Sequence, residues 1–117
     1  MIRFLIVLLL FICNPIFADM ESSGSTYFLS KNEIQILKKN AVIDNEAAYT
    51  LYRYYTFSSL DSVKSLYWLK RSAKLGNKIA QYNYLIYLRD NKMMDEFNNL
   101  SVKWADNPEI KTITNPP

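Results

Sequence analysis

Apolar side chains recur at intervals of three and four residues over most of the chain, from Ser30 to Asp106. This spacing places the apolar positions on one face of an α-helix. No segment alternates apolar and polar positions over more than five residues, as a half-buried strand does; residues 110–114 come closest. The pattern therefore predicts an all-α domain over residues 30–106.

Capping and turn residues divide this region into five predicted helices. Ser30 and Glu33 have the spacing of a capping box, Gly76 suits the left-handed position after a helix, and Pro108 prevents a helix from continuing. We expect helices from Ser30 through Ala41, from Asp44 or Asn45 to about Phe57, from Asp61 to Leu75, from Asn77 to about Arg89, and a fifth that carries Met93 to Trp104.

The first 18 residues have the pattern of a secretory signal peptide. Arg3 precedes an apolar run over residues 4–13, Pro15 breaks it, and Ala18 offers the small residue that signal peptidase requires. We expect cleavage near Ala18 and a periplasmic or secreted mature protein, which meets the membrane only through the uncleaved signal. Two alternatives remain open, an uncleaved membrane anchor and a lipoprotein processed at Cys13.

Short segments flank the predicted domain on both sides. Residues 19–29 include a small, polar stretch over 21–26, which predicts a flexible lead-in. Residues 107–117 follow the last predicted helix and end in two prolines, which predicts a loose C-terminal tail.

Two of the predicted helices resemble each other. A shift of 32 positions aligns Asn45 with Asn77, Ala48 with Ala80, Tyr52 with Tyr84 and Tyr55 with Tyr87. A period in the thirties, carried by antiparallel helix pairs, is typical of a helical solenoid. Coincidence between two amphipathic helices of similar composition is the alternative.

Residues 61–83 resemble the Sel-one-like repeat, a short relative of the tetratricopeptide repeat. The residues that carry this resemblance are Asp61, Lys64, Trp68, Ala73, Gly76, Asn77, Ala80, Tyr82 and Asn83. The resemblance implies antiparallel helix hairpins in a short α-solenoid of about five helices. Because the turns between the paired helices are shortened, a compact five-helix bundle is the alternative architecture.

The resemblance also implies a function. Such repeats hold other proteins and seldom catalyse reactions, and exported members resemble envelope adaptors or immunity proteins that neutralise a toxin. It therefore favours a non-enzymatic protein-binding module whose partner is either a toxin or effector in the periplasm or an envelope component.

Composition narrows the chemistry further. The chain has no histidine, its one cysteine lies in the leader, and it has only two glycines, so we expect no cofactor and no metal site. A net charge of +3 is mild, and we expect neither nucleic acid nor a small-molecule substrate as a ligand. A small cell-wall-acting enzyme, which needs only two carboxylates, is the third functional hypothesis.

Tyrosine and arginine side chains are the candidate binding residues, because both are enriched in protein interfaces. Tyr52, Tyr55, Tyr84 and Tyr87 fall on the inward stripe of their helices and are predicted core residues. The remaining candidates for the binding surface are Tyr49, Arg53, Tyr54, Gln81 and Arg89.

Overall fold

The computed structural model describes residues 28–114, which form six α-helices and one 3₁₀-helix with no strand among them. The prediction of an all-α protein is confirmed. The helices are α1 (Lys31–Asn40), α2 (Asn45–Phe57), α3 (Ser62–Lys74), α4 (Lys78–Asp90), α5 (Met94–Lys103), the 3₁₀-helix (Pro108–Ile110) and α6 (Lys111–Thr114). The predicted signal peptide and residues 19–27 of the lead-in lie outside the described residues.

Side-chain caps begin the first four helices at the predicted positions. Ser30 and Glu33 form the complete capping box, with the Ser30 N–H donating to Glu33 Oε1 at 2.8 Å. Asp44, Asp61 and Asn77 each accept a hydrogen bond from a backbone N–H two or three residues later. These local bonds explain why the sequence pattern locates the helix starts well.

Residues in the left-handed conformation end three of the helices. Gly76 has φ of 107°, and the N–H of Asn77 reaches back to the Ser72 carbonyl at 3.1 Å, which closes α3. Lys92 closes α4 in the same way with φ of 57°, and Leu60 has φ of 56° in the turn between α2 and α3. Glycine adopts this conformation without a steric penalty, whereas lysine and leucine do not.

Packing follows the order of the helices along the chain. The extensive contacts join α1 with α2, α2 with α3, α3 with α4, and α4 with α5, while the 3₁₀-helix packs back on α4. Antiparallel neighbours stacked in sequence are the arrangement of helical hairpins. None of the helices within residues 28–114 has the length and apolar character that crossing a membrane requires.

Two buried clusters form the core. The N-terminal cluster joins α1 and α2 around Ala48, Leu51 and Tyr55. The larger C-terminal cluster is formed by Leu69, Ala73, Ala80, Tyr84, Leu85, Leu88, Phe97, Leu100, Trp104 and Ile110. Tyr55 and Tyr84 are buried as predicted, whereas Tyr52 and Tyr87 are only partly buried.

The predicted loose tail is wrong for residues 107–114. Asn107 is fully buried and Ile110 is 1% exposed, because this segment packs against α4. The side chain of Asn107 accepts from the N–H of Glu109 at 2.8 Å and donates to the Lys78 carbonyl at 3.1 Å. Pro108 cannot continue the preceding helix, but it is the first residue of the 3₁₀-helix. A backbone N–H at that position has no partner within the helix, so proline loses no hydrogen bond there.

Buried polar side chains join the helix pairs. Asn77 Nδ2 donates to Asn45 Oδ1 at 3.1 Å, so the two asparagines related by the 32-residue shift bond to each other. Ser72 donates to the Asn45 carbonyl at 2.9 Å. These bonds link the start of α2 with the end of α3 and the start of α4.

Candidate protein-binding groove

A groove of about 590 Å³ runs along the surface between α2, α3 and α4. The C-terminal half of α2 forms one wall, the first two turns of α3 form the floor and residues 83–87 in the middle of α4 form the other wall. All of its lining residues are uncharged: Tyr52, Thr56, Ser62, Val63, Ser65, Leu66, Leu69, Asn83, Ile86 and Tyr87.

Hydrogen bonds order the polar side of the groove. The Thr56 hydroxyl contacts the Ser65 hydroxyl across the α2–α3 interface and donates to the Tyr52 carbonyl at 2.7 Å. Burial raises the pKa of Tyr52, and the neighbouring Tyr49 raises it further.

Exposed apolar side chains continue the groove at the turn between α2 and α3. Leu60 and Val63 are each 78% exposed and Phe57 is 57% exposed. Leu60 holds its exposed side chain there on a backbone with positive φ. We refer to Phe57, Leu60 and Val63 as the apolar rim.

The structure places the three predicted site residues of α2 on two sides of that helix. The ring of Tyr49 lies 5.3 Å from that of Tyr52, and the Arg53 guanidinium lies 5.8 Å from the Tyr49 ring centroid. Tyr49 therefore contacts Tyr52, which lines the groove, and Arg53 contacts Tyr49 in turn. Tyr54 instead packs against the N-terminal core cluster, with its ring 5.0 Å from Tyr55.

The two predicted site residues of α4 do not join them. Gln81 is only 7% exposed, so its predicted position on the binding surface is wrong. Its side chain donates to the Ala73 carbonyl at 3.1 Å and accepts from Asn107 at 2.8 Å, which satisfies buried polar groups at the end of α3. Arg89 is exposed at the end of α4 and pairs with Asp90 at 3.2 Å.

Sequence reasoning missed the apolar part of the groove. Val63, Leu66 and Ile86 were not among the predicted site residues. The sequence does carry a signal of these apolar residues, since Leu60, Val63 and Leu66 recur every three residues. The same spacing, however, is also typical of the buried face of an ordinary helix. Only the packing of α2 and α4 on either side of α3 shows that this stripe stays accessible.

A polar cluster joins three helices beside the C-terminal core. Tyr84 donates to Glu96 at 3.0 Å, Lys70 lies 3.6 Å from the same carboxylate oxygen, and the Lys70 ammonium lies 5.8 Å from the Tyr84 ring centroid. Burial raises the pKa of Tyr84, and the hydrogen bond to Glu96 and its charge raise it further. The cluster links α3, α4 and α5 through side-chain contacts.

Within residues 28–114, no three carboxylate, histidine or cysteine side chains lie close enough together to hold a metal ion.

The chain is similar to a bacterial protein. The chain is 42% identical over 91 residues to a protein of Escherichia coli K12 named "Uncharacterized protein YibG", and the match covers 74% of this chain. The chain spans about 60% of the length of that relative. No protein family profile matches the chain, and no solved structure matches it.

Proposed function

We propose that this protein is an exported, non-enzymatic protein-binding module whose groove receives an uncharged, apolar segment of another protein. The observation that carries the proposal is the groove itself, an uncharged groove between α2, α3 and α4 that continues into an exposed apolar rim. Exposed apolar surface rimmed by polar residues is one of the marks of a protein-binding site.

The lining residues suit a polypeptide. Tyr52 and Tyr87 offer large, stiff contact surfaces with a polar tip, which is the chemistry enriched in interface hot spots. Thr56, Ser62, Ser65 and Asn83 add neutral hydrogen-bonding groups that match peptide N–H and C=O groups. Because the furrow is open along the surface, it fits an extended chain better than it encloses a small molecule.

Neutralisation of a toxin in the periplasm is the specific role that we propose for this module. The predicted leader and the few reactive side chains of the chain support that role. A partner's segment held in the groove would place the rest of this domain over the partner's active site and exclude its substrate. An adaptor in an envelope complex is the alternative, and affinity separates the two: neutralisation needs roughly nanomolar binding, whereas scaffolding tolerates micromolar binding.

Photo-crosslinking at matched positions tests the groove. Val63 at the rim and Val102 on α5 are both 78% exposed, so a photoreactive amino acid at either site has equal access to solvent. In the native bacterium we expect one dominant protein adduct from position 63 and none from position 102. With that partner purified, Val63→Gln should weaken binding at least about tenfold and Val102→Gln less than about twofold. The same adducts from both positions would contradict the proposal.

Mass spectrometry of the protein purified from expressing cells tests export. We expect an N-terminus at Asp19. An acylated N-terminal Cys13 would establish the lipoprotein alternative, and an intact Met1 in the membrane fraction would establish the uncleaved anchor.

A further inference from the structure

The charges of the chain are strongly segregated along the sequence. Between Asp61 and Asp90 there are six lysines and arginines and no acidic residue. Residues 90–114 reverse this balance, with five acidic and three basic side chains. The excess of positive charge therefore belongs to α3, α4 and the turn between them.

Part of this charge surrounds a surface hollow on the outer side of α3. The hollow has a volume of about 280 Å³ and is lined by Tyr67, Lys70, Arg71 and Lys74. We call it the basic hollow. These residues recur at intervals of three and four positions, so one face of α3 presents all four.

Two of the four side chains are held in place before any ligand arrives. Arg71 donates to the Ala41 carbonyl at 3.2 Å and to the Val42 carbonyl at 3.0 Å, which fixes its guanidinium against the loop between α1 and α2. The Tyr67 ring is 57% exposed and packs edge-on against Trp68 at 4.8 Å. Groups that are already ordered lose less conformational entropy when a partner binds.

From this arrangement we propose that the basic hollow binds an acidic segment of the protein partner. The inference rests on the proposed protein-binding function and adds the chemistry of a second contact. Lys70 is already 3.6 Å from the Glu96 carboxylate of α5, so the edge of the hollow accommodates a carboxylate. The hollow brings three cationic side chains and the Tyr67 ring together. The cations can pair with carboxylates of the segment, and the ring can contact an apolar side chain beside them.

A protein partner fits this site better than an anionic membrane. The neighbouring loop carries Val42 and Ile43, which are 58% and 83% exposed. Because Arg71 bonds to that loop, its apolar side chains lie beside the cations of the hollow. The apolar and basic groups together form one small surface of defined geometry. Attraction to a lipid surface depends on many cations spread over one face and tolerates changes in their arrangement.

A labelled peptide tests the proposal with charge-matched variants. We would measure fluorescence anisotropy of a fluorescein-labelled hexaglutamate peptide against the protein purified after export, at low salt. Lys70→Gln/Lys74→Gln and the control Lys103→Gln/Lys111→Gln each remove two positive charges. We expect the first pair to weaken binding about tenfold and the control less than about twofold, because only the first pair lines the hollow. Amide chemical shifts should change around Tyr67 in the unmodified protein.

Several outcomes would overturn the inference. Equal loss of binding in both double variants would show attraction to net charge alone. No binding below roughly 1 mM peptide would show that the hollow does not bind acidic segments. Phosphatidylglycerol vesicles that bind through the same lysines while the peptide does not would assign the hollow to a membrane. In each case, adducts specific to Val63 would leave the proposed groove intact, so the two proposals fail separately.

Discussion

Replacing Asn107 with alanine tests whether the C-terminal segment is part of the folded domain. The Asn107 side chain is fully buried and makes three hydrogen bonds, one as the cap of the 3₁₀-helix and two to α4. Loss of an asparagine cap costs about 1 kcal/mol, and each of the other two bonds contributes roughly 1 kcal/mol. We therefore expect Asn107→Ala to lower the free energy of unfolding by about 3 kcal/mol.

Removing the Asn107 side chain also leaves Gln81 without a hydrogen-bond donor, which adds to that cost. Gln81 is nearly buried, and without Asn107 its amide oxygen loses the donor that faces it. An unsatisfied buried acceptor costs about 1–3 kcal/mol, although part of this loss is already counted in the broken bond. A serine at the same position keeps a capping oxygen but is too short to reach α4, so Asn107→Ser should cost about 1 kcal/mol less than Asn107→Ala.

Urea unfolding followed by circular dichroism measures these differences, provided that the slope with urea is the same for each variant. Asn98→Ala on the exposed side of α5 is the control, and it should change the free energy of unfolding by less than about 0.7 kcal/mol in either direction. If Asn107→Ala cost no more than this control, residues 107–114 would be attached as loosely as the sequence pattern predicts, and the packing described here would be refuted.

Four further substitutions test other parts of the structure. Trp68→Ala should lower the free energy of unfolding by about 2 kcal/mol, less than the roughly 3–5 kcal/mol of a fully buried tryptophan, because its ring is only half-buried against the N-terminal cluster. Tyr67→Ala, at an exposed position, should lower it by less than about 1 kcal/mol. Equal losses for the two variants in urea unfolding would contradict this difference. Lys92→Gly should raise the melting temperature by about 3 °C, because it relieves a positive φ at the end of α4; a lower melting temperature would show that the lysine is not strained. The pKa of Tyr84 is raised in the folded protein above the unfolded value of about 10, so its neutral form contributes stability below pH 10 that is lost as the pH rises further. Between pH 9 and 11, stability should therefore fall less steeply in Tyr84→Phe than in the unmodified protein, and parallel profiles would exclude this contribution.

The sequence predicts best those features that depend on neighbouring residues. The caps at Ser30, Asp44, Asp61 and Asn77 each involve a bond across two or three positions, so residue type and spacing suffice to identify them. The Gly76 stop is equally local. The buried stripe also follows from helical period, as Tyr55 and Tyr84 illustrate, although the same period does not distinguish a buried tyrosine from the half-buried Tyr52.

Features that depend on distant parts of the chain escaped prediction. Gln81 is buried because it bonds to Asn107, which lies 26 positions later. Neither residue carries a local sign of this pairing, so a polar residue on α4 was predicted to lie on the surface and a proline-containing tail to be loose. The groove was missed for the same reason, since Leu66 and Ile86 become neighbours only when α3 and α4 pack together.

The Asn45–Asn77 hydrogen bond and the groove lie toward opposite ends of α2 and α4. Asn45 and Asn77 join the N-terminal ends of α2 and α4, while the walls of the groove come from residues about two to three turns further along these helices. Between them, α3 presents Leu66 to the groove and Lys70 to the basic hollow. A partner that contacts both proposed surfaces would meet two faces of one helix whose neighbours are fixed by partly buried hydrogen bonds. Such rigidity would lower the entropic cost of that binding, so we expect Asn45 and Asn77 to contribute to affinity from outside both surfaces.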